Sequence, residues 1–136
     1  MLKLSDFIYA FQMIGNEDMW MNIKTGEVYS RIDFEVNEMN EDDIDELLYR
    51  DEIVGLPTQY ELNEYKDMLS FVGTLTNESM KNKLYYALNG KNAYRKFKDE
   101  IYYLGIRQQW FIYRDECLKK KVIEWLEYKE IDYIDE

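Results

Sequence analysis

The run Met19-Trp20-Met21-Asn22-Ile23-Lys24-Thr25-Gly26-Glu27-Val28-Tyr29-Ser30-Arg31-Ile32-Asp33-Phe34-Glu35-Val36 decides the fold class, because its apolar residues recur at a period of two. Met19, Met21 and Ile23 alternate with Trp20, Asn22 and Lys24, and side chains that alternate in this way stand on opposite faces of a strand. Lys24-Thr25-Gly26-Glu27 supplies a turn, with Gly at a position tolerant of positive φ. After the turn, Val28, Ser30, Ile32, Phe34 and Val36 share one face, and Tyr29, Arg31, Asp33 and Glu35 share the other. The pattern predicts a half-buried hairpin whose second strand reaches Val36. Ile53-Val54-Gly55-Leu56 reads as a third short strand, closed by Pro57.

On either side the apolar period lengthens to that of a helix. Ser5 is placed to cap a first helix with Phe7, Ile8, Phe11 and Ile14 inward and Gly15 at its end. The acidic stretch Asn40-Glu41-Asp42-Asp43-Ile44-Asp45-Glu46 lacks the ligand spacing and central Gly of a calcium loop. It reads instead as a helix start, where carboxylates complement the positive end of the macrodipole. Thr58-Gln59-Tyr60-Glu61 is a capping box opening a helix with Leu62, Tyr65, Leu69 and Val72 inward and Gly73 at its end. Thr76 or Asn77 opens the next, with Met80, Leu84, Ala87 and Leu88 apolar and Gly90 closing it. Asn92 caps a third, carrying Tyr94, Phe97, Ile101 and Leu104 to Gly105. A last helix runs from about Arg107 into Glu127, with Trp110, Tyr113, Cys117, Val122 and Trp125 as its inner stripe. The expected class is α+β: an N-terminal helix and small antiparallel sheet packed with a C-terminal cluster of four to five helices. No linker or repeat interrupts residues 1–136, so one domain is expected, acidic over 1–57 and helical over 58–136.

The chain has 136 residues, 46% hydrophobic and 16% aromatic, which is enough apolar mass for a core and excludes a disordered protein. Seventeen basic against 28 acidic residues give a net charge of −11. The charge is uneven: residues 1–80 hold five basic and eighteen acidic groups, whereas 81–121 hold eleven and four. An acidic total discourages bulk binding to nucleic acid or anionic membrane and suits a basic protein partner, although a basic segment still acts locally. With no histidine, the commonest general base, the usual triads, nearly all zinc chemistry and the ordinary pH switch are removed. The single Cys117 forms no internal disulfide. No apolar run is long enough to span a membrane. Met1-Leu2-Lys3-Leu4-Ser5-Asp6 has none of the marks of a signal peptide, and the expected compartment is the cytoplasm.

No Walker loop, dinucleotide glycine fingerprint or zinc spacing occurs. No catalytic residue, metal ligand or cofactor is therefore selected. Cys117 follows Asp115 and Glu116, which would raise its thiol, so core packing is expected of it. Trp110 and Trp125, at helical spacing among aliphatics, also read as core. The one candidate binding surface is Lys91, Arg95 and Lys98, whose separations of four and three put them on one helical face. Lys81 and Lys83 precede it, and Asn89-Gly90 turns the chain into the N-terminus of the next helix, so the face suits phosphate. The competing expectation pairs Arg95 and Lys98 with Asp99, Glu100 or the acidic half.

Ala87-Leu88-Asn89-Gly90-Lys91-Asn92-Ala93-Tyr94-Arg95-Lys96-Phe97-Lys98-Asp99 resembles a motif of uncharacterised protein family 0158, small acidic bacterial proteins of unknown function. Leu104-Gly105-Ile106, Trp110-Phe111, Tyr113-Arg114-Asp115-Glu116 and Glu124-Trp125-Leu126 resemble its downstream pattern. Lys24-Thr25-Gly26-Glu27-Val28 looks like its hairpin, and Pro57 with the helix from Tyr65 to Phe71 fits its middle. Tyr94 stands where Phe is usual, Lys96 where Arg is common and Asn92 where Gly often sits. The resemblance implies a single bacterial cytoplasmic domain and adds nothing to an enzymatic assignment. Two readings stand: a non-enzymatic interaction or regulatory module that binds a basic protein through its acidic face or a groove between hairpin and helices, and a phosphate- or nucleic-acid-binding module using Lys91, Arg95 and Lys98. A carboxylate-based enzyme is the least favoured class.

Overall fold

The computed structural model describes residues 1–136. Its elements run α1 (Leu4–Gln12), β1 (Met19–Asn22), β2 (Val28–Ser30), α2 (Arg31–Val36), α3 (Glu41–Leu48), β3 (Ile53–Gly55), α4 (Gln59–Leu62), α5 (Glu64–Thr74), α6 (Glu78–Leu88), α7 (Ala93–Tyr103) and α8 (Arg107–Tyr128). This is the α+β class expected, with a three-stranded antiparallel sheet in the order β2-β1-β3. The chain gathers into two compact units, one of residues 1–62 with 119–136 and one of residues 63–118.

In the first, sheet-bearing unit, β1 pairs with β2 through Met19↔Ser30, Trp20↔Tyr29 and Met21↔Val28. It pairs with β3 through Trp20↔Gly55, Met21↔Val54 and Asn22↔Ile53. The turn forms as expected: the Asn22 side chain accepts from the Lys24 and Thr25 N–H groups, and Gly26 sits at φ +84°. The second strand, however, stops at Ser30 and does not reach Val36. The Ser30 hydroxyl accepts from the Asp33 N–H at 3.2 Å, and the Asp33 carboxylate accepts from the Ser30 N–H at 2.9 Å. That reciprocal capping box turns Arg31–Val36 into α2. Only Phe34 of the expected inward face beyond Ser30 is buried, against Trp20 at 5.6 Å between ring centroids, while Ile32 and Val36 face solvent.

The first helix is also capped differently. Lys3, not Ser5, holds the N-cap, and the Asp6 carboxylate accepts the Lys3 N–H at 2.9 Å. Ser5 lies inside the helix, with its N–H on the Glu136 carbonyl. The helix ends at Gln12, before Gly15. Leu4, Phe7, Ala10 and Phe11 are buried as its inner face, and Phe7 and Phe11 meet Trp125 of α8 at 6.4 and 5.3 Å. The two chain ends lie side by side through the Lys3↔Ile134 bridge.

In the second, helical unit, α5 does not continue the helix opened at Thr58. The Thr58–Glu61 capping box forms, but Asn63 adopts a left-handed φ of +50° and ends α4 after one turn. The break resets the helical phase. The buried face of α5 is Met68, Phe71 and Val72 instead of Leu62, Tyr65, Leu69 and Val72. Tyr65 sends its hydroxyl to the Leu88 carbonyl at 2.9 Å. Asn77 caps α6 and Gly90, at φ +92°, follows it, both as the sequence predicts. The core joins Met68, Phe71, Val72, Leu84, Leu88, Phe97, Ile101 and Ile106 around a fully buried Trp110, whose ring meets Phe97 edge-on at 5.0 Å.

Because each capping-box partner occupies the other's backbone N–H, Ser30→Ala and Asp33→Ala should each lower the unfolding free energy by about 1 kcal/mol. The double substitution should cost less than the two single costs together, since both act on one pair. Urea denaturation of the four chains measures it, and full additivity would show that the two hydrogen bonds do not act as a unit.

Candidate functional site

Two surfaces carry the chain's charge, one in each unit. In the helical unit, Gly90 and Asn92 both have positive φ, and Asn92 makes no side-chain cap. The helix α7 therefore begins at Ala93, and Lys91 lies before its cap, off the helix. This corrects the expected three-residue face. The structure brings together Arg95 and Lys98, both exposed and three apart on α7, and extends their stripe to Tyr102, 66% exposed. Lys91 is exposed in the preceding turn. Ion pairs form at Lys3–Glu136, Lys81–Glu78 and Arg114–Asp115, and the expected pairing of Arg95 and Lys98 with Asp99 or Glu100 is not made.

Tyr94, expected inward, is instead 42% exposed; partial burial, with the Glu64 carboxylate, still pushes its phenol up. Arg107 and Arg114 lie over opposite ends of one sequence window onto the same ring, Phe111, at 5.1 and 4.9 Å from its centroid. Both contacts follow from the α8 register, which puts Arg107 four residues before Phe111 and Arg114 three after it. Cys117 is half-buried beside Tyr113, whose phenol is raised first by burial and then by the adjacent thiol.

In the sheet-bearing unit, Asn40 caps α3 by accepting from the Asp43 N–H at 2.8 Å. Glu41, Asp42, Asp43, Asp45 and Glu46 are all exposed, while Ile44, Leu47 and Leu48 lie half-buried on the other side of the helix. The acidic run is thus a helix start as expected, and no three acidic or thiol side chains of the chain converge as metal ligands. The sequence offers a groove between hairpin and helices as one alternative surface but does not identify the residues that line it. An open groove of about 500 Å³ is lined by Met13, Met19, Val28 and Ile32 together with polar residues that include Glu17 and Asp33. Ile32 belongs to it because α2 turns that side chain outward; the signal was Ser30-Arg31-Ile32-Asp33, a capping-box spacing that competes with the strand pattern. Next to it, burial raises the Tyr29 phenol, and its 2.8 Å hydrogen bond to Glu27 adds to the rise.

These features define a small α+β protein with a strongly acidic sheet-bearing unit and a near-neutral helical one, and no helix long and apolar enough to cross a membrane. The model of the uncharacterised protein family UPF0158 matches residues 2–136, and the chain belongs to that family. No curated protein and no solved structure matches it.

The three raised phenols set an alkaline limit. Their folded forms hold the proton past the ordinary tyrosine value of 10.0, while the unfolded chain releases it there. Their contribution is fully present below pH 10.0 and is lost as pH rises from there through the folded values. The thermal midpoint should fall on that rise, and replacing Tyr29, Tyr94 and Tyr113 by Phe should make the fall shallower. An unchanged slope in the triple variant would remove these phenols as its cause.

Proposed function

We propose that the chain is a non-enzymatic interaction module of the bacterial cytoplasm that binds a basic protein through its sheet-bearing unit. The observation that carries this is the partition of charge between the units. The sheet-bearing unit holds eight basic and twenty-one acidic residues, the helical unit nine and seven. On α3 the five exposed carboxylates stand in solvent, where they act by attraction over a screening length of about 8 Å at physiological salt. Such a surface sets association rate and partner choice more than it sets affinity. A single free cysteine, with no disulfide to form, is compatible with the cytoplasmic setting.

The probe for this reading is a Lys-Gly repeat peptide. Its affinity should fall steeply with added salt. Replacing Glu41 and Glu46 by Gln and Asp42, Asp43 and Asp45 by Asn should weaken it about tenfold at low salt, while circular dichroism reports an intact fold. Equal binding by the substituted chain would remove α3 as the surface, and no binding by either would remove the reading.

A specific observation also favours a second reading, a phosphate or single-stranded nucleic-acid surface on α7. Arg95 and Lys98 carry no carboxylate partner, and Tyr102 in the same stripe offers an exposed ring for stacking. A single-stranded RNA oligonucleotide should then bind with an affinity that drops as salt rises, and the Lys91→Gln, Arg95→Gln, Lys98→Gln chain should lose it. Retention of binding by that chain would exclude these three residues.

A further inference from the structure

We propose that the groove between the end of α1 and the β2–α2 corner docks an amphipathic helix of a basic protein. Its apolar side chains would sit on Met13, Met19, Val28 and Ile32, and its lysines or arginines on the surrounding carboxylates. The inference rests on the reading of the sheet-bearing unit as the surface for a basic partner, and it names the segment of that partner which the groove accepts.

Three observations carry it. The first is apolar surface left in water: Met13 is 47% exposed, Ile32 55% and Val36 73%. Ile32 and Val36 are four apart on α2 and so continue one stripe out of the groove. A lone exposed aliphatic is ordinary, but several bordering one concavity mark a contact surface. Two of the lining side chains are methionines, whose flexible thioethers adapt to varied apolar partners.

The second observation is charge. Glu17 and Asp33 are among the lining residues, exposed Asp18 follows Glu17 in sequence, and the unit as a whole carries thirteen more acidic than basic groups. The occupant that complements a lining of apolar side chains and carboxylates is apolar on one face and cationic beside it. An anionic lipid surface or a second acidic unit meets like charge instead.

The third decides the form of the occupant. An added strand needs free outward N–H and C=O groups on an edge strand. β2 is an edge strand, but it has three residues and its Ser30 N–H is already held by the Asp33 carboxylate. A helix satisfies its own backbone and needs only the groove.

The test uses the whole chain with ¹³C-labelled methionine methyls and two peptides of equal charge. One is a Leu-Lys helix with leucines at i, i+3, i+4 and i+7, and the other has those leucines replaced by Ser. The first peptide should shift the Met13 and Met19 methyls, leave Met68 in the core of the helical unit unmoved, and bind about tenfold tighter than the second. Ile32→Asp and Val36→Asp, both at exposed positions, should erase that tenfold difference. Neutralising the α3 carboxylates should weaken both peptides alike.

If both peptides bind equally and Ile32→Asp changes nothing, the groove is overturned while the acidic surface stands. If neither peptide binds, the reading beneath it falls too. Shifts of Met13 and Met19 that follow protein concentration without peptide would assign the groove to a second copy of the chain, and shifts caused by anionic vesicles would assign it to a membrane. Either would overturn the proposal.

Discussion

The pair of hydrogen bonds exchanged by Ser30 and Asp33 sets the architecture of the sheet-bearing unit. By satisfying the first free donors of α2 they make a helix competitive at Arg31, where the apolar alternation alone would extend the strand. Had the strand run to Val36, the hairpin would carry an unpaired edge of nine residues, an invitation to pairing between chains. Instead the edge is three residues long and one of its outward donors is used. The same turn of the backbone sends Phe34 into the core and lifts Ile32 and Val36 into solvent. Edge protection and the groove are therefore two results of one local choice.

The helical unit depends on packing more than on polar detail. Trp110 is fully buried among Phe71, Phe97 and Tyr113, and its indole N–H finds no acceptor. An unpaired buried donor costs about 1–3 kcal/mol, so the ring's apolar area must outweigh it. Phe at this position would remove the unpaired donor but leave part of the ring's volume empty, and the second effect is the larger in a close-packed core. The helix ends around it are closed by local devices, among them Asn77 at the start of α6 and Gly105 at φ +73° after α7. Variants on the exposed stripe of α7 leave this core untouched, which makes them clean tests of a surface role.

Much of the fold was legible because local and tertiary signals agree. Asn77 with Gly90 brackets α6, Asn40 with three following acids opens α3, and Asn22 to Gly26 closes the hairpin. Legibility fails where two local signals compete. Ile32, Phe34 and Val36 satisfy a period of two, yet Ser30 and Asp33 sit at capping distance, and the helix wins with hydrogen bonds that periodicity does not register. At Asn63 the failure is one of phase: a left-handed residue that any composition rule reads as an ordinary helix neighbour shifts the buried face from Tyr65 and Leu69 to Met68 and Phe71. Of the candidate site, the exposure of Arg95 and Lys98 followed from the α7 pattern. Lys91 left the face because Asn92 is left-handed, and the part Ile32 plays in the groove was hidden for as long as that residue was taken for an inward strand residue.

Charge and apolar surface do different work in the sheet-bearing unit. Exposed carboxylates on α3 are screened within about 8 Å at physiological salt, so they bias the approach of a cation without holding it. Three of them, Glu41, Asp42 and Asp43, lie in the first turn and are stabilised by the macrodipole, which lets the unit keep a high charge density with less cost to its fold. Apolar contact in the groove would be insensitive to salt and, in the proposed complex, would govern how slowly a bound segment leaves, since affinity differences between related complexes lie mostly in dissociation. A surface built from both recruits many cationic chains and retains the few that also present an apolar face. The acidic charge alone would make this unit a weak and indiscriminate ion exchanger; the outward turn of Ile32 makes selection among basic partners physically possible.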